Sequence, residues 1–168
     1  MTRRGYAAGL AVPMLALLVA QAGCGYSYGS GLPEQGVKTV SLTVAGNETY
    51  RQRLEVGLTA ALARELPTST DLRLAAPGRG DATLWITITD ARERTLVPGS
   101  RTDPVREGSL EATVRMRLVR ADGKTLLDRT VVDRAEFRSP IGEDLASAGT
   151  ELVDDLARKI ALALEAGL

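Results

Sequence analysis

The chain predicts an α+β fold: a two-layer sandwich in which a four-stranded mixed or antiparallel sheet carries two helices, in the order β-α-β-β-β-α. Three observations lead to it. Several segments alternate apolar and polar residues and are rich in β-branched side chains, the pattern of a strand with one buried face. Two other segments carry an apolar stripe at helical spacing. Two one-sided helices must then cover the apolar face of one sheet, which makes two layers.

The first strand is Val37–Val44, where Val40, Leu42 and Val44 alternate with Thr39, Ser41 and Thr43. Gly46-Asn47 ends it, and Asn47 or Thr49 can cap the helix that follows to about Leu66. That helix collects Leu54, Leu58, Ala61, Leu62 and Leu66 on one face, and Pro67 is expected to close it. Leu72–Leu74 reads as a short edge strand. Ala82–Thr89 is the clearest strand, with Leu84, Ile86 and Ile88 on one face and Thr83, Trp85, Thr87 and Thr89 on the other. A loop holding Pro98, Gly99 and Pro104 leads to the strand Leu110–Arg120. Asp122-Gly123 is a two-residue hairpin signal, so Thr125–Phe137 pairs antiparallel with that strand. Its alternation is poorer, because Arg129 and Asp133 share a face with Leu127, Val131, Ala135 and Phe137. This suggests a bulge or a partly exposed edge. Ser139-Pro140 reads as N-cap and first helical residue of the last helix, whose stripe is Leu145, Gly149, Leu152, Leu156, Ile160 and Ala163.

Ahead of this domain the chain reads as a secretory leader. Arg3 and Arg4 precede a 14-residue uncharged run, Ala7–Ala20. A membrane-spanning helix needs about 20 apolar residues, so the run fits the core of a signal peptide instead. Ala22-Gly23-Cys24 then resembles the lipobox of bacterial lipoproteins, with Gln21 where an aliphatic residue is usual. The resemblance implies cleavage before Cys24 and acylation of it, a membrane tether that does not span. Gly25 follows the cysteine, so with no Asp there the outer membrane is the expected destination. The organisation expected is thus signal peptide 1–23, lipidated tether 24–36 and a single α+β domain 37–168. Fully extended, the 12 residues from Gly25 to Gly36 would reach about 40 Å.

From Cys24 onward there are 19 basic and 21 acidic residues, a net charge of −2. A nucleic-acid binder is usually clearly basic, so that class is disfavoured. There is no histidine, no Gly-x-Ser-x-Gly elbow, no Walker loop and no dinucleotide fingerprint. No catalytic residue, cofactor or metal site is therefore assigned, and the expectation is a non-enzyme. Glu143-Asp144 and Asp154-Asp155 fall on the last helix, where they read as a helix start and a solvated face. The second face of the sheet presents Trp85, Arg115 and Arg117. It is either a solvated antiparallel face or a contact surface, since Trp and Arg are enriched at binding hot spots.

Cys24-Gly25-Tyr26, Leu32-Pro33, Val37-Lys38-Thr39-Val40, Asn47-Glu48-Thr49, Leu58-Thr59-Ala60-Ala61-Leu62 and Glu65-Leu66 occur in an order and spacing similar to the lipopolysaccharide-assembly lipoprotein family, LptE. Gly80-Asp81-Ala82-Thr83-Leu84 fits the same family at the entry to the long strand. Thr43, Val44 and Ala45 depart from the Pro and Phe that many members carry there. The resemblance implies a two-helix, four-strand domain on the periplasmic side of the outer membrane. Its partners would be the β-barrel translocon LptD and lipopolysaccharide, whose lipid A phosphates suit Arg115 and Arg117. The rival readings are a curli-secretion or penicillin-binding-protein-activator type of lipoprotein and a periplasmic ligand-binding module. The first two share the valine-rich strand, the Asn-x-Thr segment and the helix, but not readily the hairpin followed directly by a last helix.

Overall fold

The computed structural model describes residues 31–33, 35–43, 45–51, 53–99, 101 and 105–166, so the leader and Cys24 lie outside the described residues. Within them the fold is the expected α+β sandwich, with more strands than four. In chain order the elements are β1 (Thr39–Leu42), β2 (Gly46–Asn47), α1 (Leu54–Ser69), β3 (Arg73–Ala75), β4 (Ala82–Pro98), β5 (Val105–Arg120), β6 (Thr125–Arg138), a 3-10 turn (Ser139–Ile141) and α2 (Leu145–Glu165). The sheet order is β3-β1-β4-β5-β6, with β2 also beside β4. β1 runs parallel to β3 and β4, and the remaining long strands are antiparallel. The parallel pair β1 and β3 is joined through α1, since a parallel return needs a crossover.

Both helices lie on one face. Leu58, Leu62 and Leu66 of α1 and Leu152, Leu156 and Ile160 of α2 are buried against Val40, Leu84, Ile86, Val114 and Met116. Burying each such side chain contributes about 1.5–3 kcal/mol. Leu32, inside the span expected to be tether, is 0% exposed and joins this core. A turn holds it there, with the Val37 amide donating to the Leu32 carbonyl at 2.9 Å.

Several local expectations are corrected. Gly46-Asn47 does not end the first sheet segment but forms β2, paired with Thr87 and Ile88. Asn47 is not the cap of α1 either. Its amide nitrogen donates to the Arg51 carbonyl and to Glu55 Oε2, both at 2.7 Å, bracing the loop. The N-cap position belongs to Arg53, in the left-handed region at φ 79°, with no side-chain cap. Pro67 does not close α1, because the last turn continues to Ser69. Thr68 and Thr70 hydroxyls donate to the Glu65 and Leu66 carbonyls at 2.8 and 2.7 Å, adding donors to the carbonyls of the last turn.

β4 runs nine residues past Thr89, because Thr89 is the extra residue of a bulge that carries the pairing on to Pro98. The hairpin loop is three residues, 121–123, closed by the Arg120 amide on the Lys124 carbonyl at 2.8 Å, with Gly123 at φ 88°. β6 is the sheet edge and also bulged, since Leu118 faces Leu127 while Val119 faces Thr125. The inward Asp133 is met by Lys159 of α2 at 2.8 Å. Ser139-Pro140 starts the 3-10 turn instead of α2. Asp144 caps α2, accepting from the Ala146 and Ser147 amides at 2.9 and 2.8 Å in a capping box.

Candidate functional site

The helices leave the second sheet face uncovered. Trp85, 53% exposed, stands there opposite Arg117, and Arg117 is opposite Asp128 on β6. Arg115 lies between Thr87 and Thr130. Trp85, Arg115 and Arg117 therefore share one open face, since residues two apart on a strand point the same way.

The arginines are not free. Arg115 grips Asp128 with two hydrogen bonds, Nε to Oδ1 at 3.0 Å and Nη2 to Oδ2 at 2.6 Å. Arg117 Nε lies 3.6 Å from the same Oδ2. The bonded Arg115 side chain holds the Asp128 carboxyl below the usual carboxylate value, and Asp128 raises the Arg115 guanidinium in return. Sequence reasoning missed Asp128. Its signal was the hairpin register: the three-residue loop shifts the pairing by one and the bulge at Leu126 shifts it back, so Arg117 stands opposite Asp128 as a two-residue Asp122-Gly123 loop would place it.

A second feature lies on the helical side. A cleft of about 710 Å³ separates the first turns of α1 from those of α2, with Leu110 of β5 at its floor. Leu54, Gly57, Ala60, Gly149 and Val153 line it. Arg64 bridges to Asp154 across it at 3.0 Å, while Arg51 and Arg53 border the helix starts. Sequence reasoning placed Leu54 and Gly149 on core stripes, since a stripe does not reveal where two packed helices leave a groove.

Among the described residues no group of three or more Cys, Asp or Glu side chains could hold a metal ion. No helix among them is long and apolar enough to cross a membrane. The sandwich thus presents one open sheet face and one apolar interhelical cleft. The family model of LptE, described as lipopolysaccharide-assembly, matches residues 37–164, and the chain belongs to that family. Among solved structures, protein CT253 from Chlamydia trachomatis is similar at 12% identity and a TM-score of 0.55, over 76% of this chain and 95% of its own. Protein XCC0632 from Xanthomonas campestris is similar at 12% identity and a TM-score of 0.51, over 75% of this chain and 83% of its own. At such identities the likeness is one of fold. No curated protein sequence matches the chain.

Proposed function

We propose that the protein is a non-enzymatic lipoprotein of lipopolysaccharide export, anchored on the periplasmic side of the outer membrane through acylated Cys24. There it partners an LptD-type β-barrel translocon and helps deliver lipopolysaccharide to the outer leaflet. The observation that carries this reading is the family match, which spans nearly the whole folded domain. The open face supports it, because Trp85 beside Arg115 and Arg117 offers an aromatic surface and planar donors suited to lipid A phosphates.

Pull-down from detergent-solubilised outer membrane tests the partnership. Recovery of a large β-barrel translocon is expected. Recovery of a peptidoglycan synthase, or of nothing, favours the activator-type or binding-module readings and overturns this one. Mass spectrometry tests the anchor. The extracted chain should begin at Cys24 with added acyl mass, and Cys24→Ala should release a folded soluble domain. A wild-type chain that retains Met1 would refute it.

A further inference from the structure

The cleft between the helices has the polarity of a site for one tail and one head. Gly149 lies beside Leu54, Gly57 beside Val153, and Arg64 beside Asp154. The helices therefore run in the same direction, and both N-termini lie at one end of the cleft. The far end is spanned by the Arg64–Asp154 pair, and the walls between are apolar or small.

The two glycines have no other explanation in the packing. A Cβ on Gly149 would come no closer than 3.9 Å to Leu110 and Leu54, and one on Gly57 no closer than 3.5 Å to Val153. Those are ordinary contacts, and neither residue has a positive φ. Glycine within a helix is destabilising relative to alanine. What the pair does is keep the cleft open.

At the mouth Arg51 and Arg53 stand across from Asp144. Asp144 satisfies the start of α2, but α1 has no side-chain cap. Arg51 is paired with Glu93, and Glu55 is engaged by Asn47 and the Arg53 amide. Arg53 has no ion-pair partner among the described residues. It is also the one non-glycine residue among them with positive φ. Such strain persists where the surroundings hold it and clusters at functional sites.

We infer that this cleft binds a single-chain anionic amphiphile, with an acyl chain between Gly57 and Gly149 above Leu110 and an acidic head beside Arg53 and the first turn of α1. The head answers the unpaired guanidinium and the positive end of the helix. The volume lies within the range of small-molecule pockets.

The test uses the full chain with Cys24→Ser, which removes the acylation site, titrated with dansyl-labelled undecanoic acid. Saturable fluorescence enhancement is expected, displaced by dodecyl phosphate and by dodecanoate but not by dodecyltrimethylammonium. Gly149→Leu projects a branched side chain into the cleft from a Cβ that itself comes no closer than 3.9 Å to Leu110 and Leu54. It should weaken binding by at least roughly tenfold while the melting temperature holds or rises. Arg53→Gln should weaken the acid and leave the dansyl-labelled alcohol unchanged. Undiminished binding to a folded Gly149→Leu chain, or displacement by the cation, would overturn the inference. It stands apart from the barrel partnership. A chain that recovers its barrel but ignores the amphiphile refutes only the cleft, and the converse refutes only the partnership.

Discussion

Thr39 and Asp81 exchange hydrogen bonds in both directions. The Thr39 amide and hydroxyl donate to Asp81 Oδ2 at 2.9 and 2.8 Å, and the Asp81 amide donates to Thr39 Oγ1 at 3.0 Å. The Lys38 amide adds a further bond to Oδ2 at 3.0 Å. This clasp fastens the start of β1 to the start of β4, the two strands that join the parallel and antiparallel parts of the sheet. Asp81→Ala strands three donors, so its melting temperature should fall by about 4–8 °C. Thr39→Val keeps a β-branched strand residue and the two amide bonds, and should fall less. Thermal melts by circular dichroism check both, and an Asp81→Ala chain as stable as wild type would refute the clasp.

Acid should weaken the fold through the same kind of carboxylate. The hydrogen bonds from Thr39 and the Lys38 amide lower Asp81, the Arg115 side chain lowers Asp128, and the Arg120 side chain brings Asp122 to about 2. A carboxyl lowered in the folded state stabilises it fully above its unfolded value of about 3.9. That stability is lost as pH falls through the folded value. With no histidine in the chain, urea midpoints should be nearly flat from about pH 5 to 8. They should then decline between about pH 4 and 2. Asp122→Asn should flatten the decline.

Two glycines should respond oppositely to alanine. A Cβ on Gly80 would lie 2.6 Å from the Ser41 amide nitrogen and 2.7 Å from the Ala82 carbonyl oxygen, backbone that cannot yield. The same substitution disturbs the Gly80 amide bond to Ser41 Oγ, whose hydroxyl donates to the Ala76 carbonyl. Gly80→Ala should cost at least about 1–3 kcal/mol. Gly57→Ala meets only Val153 at 3.5 Å, and should stabilise α1 by up to about 1 kcal/mol. Urea unfolding measures both.

The open face makes a prediction of opposite signs. Replacing Arg115 and Arg117 together with Ser should weaken lipopolysaccharide binding by at least roughly tenfold. The melting temperature should barely change, because exposed ion pairs stabilise little. Asp128→Asn removes the charge that engages both guanidinium groups, so it should strengthen binding. Unaltered binding in both variants would return this face to a solvated surface.

The elements legible in the sequence were those with one buried side. Ala82–Thr89 and Leu110–Arg120 alternate because their odd and even residues meet water and core respectively, and the stripes of α1 and α2 report burial in the same way. Asp90–Pro98 shows no such alternation, because beyond Ala91, which packs on the core, its side chains are exposed and record no layer. It is strand only because β5 pairs with it. Cap residues went astray where neighbours supply the bonds, as Asn47 does around Arg53 and as the 3-10 turn does ahead of Asp144.

By itself the sequence determined the layers, the family's ordered segments and the face that would hold Trp85, Arg115 and Arg117. Those are properties of period and local order along one chain. Only the tertiary structure decided that Asp128 engages both arginines, that Leu32 belongs to the core and that Gly57 and Gly149 line an open cleft. Each depends on register across a bulge or on the spacing of elements far apart in sequence. Contacts of that kind sum many small packing and hydrogen-bonding terms, and no single segment carries them.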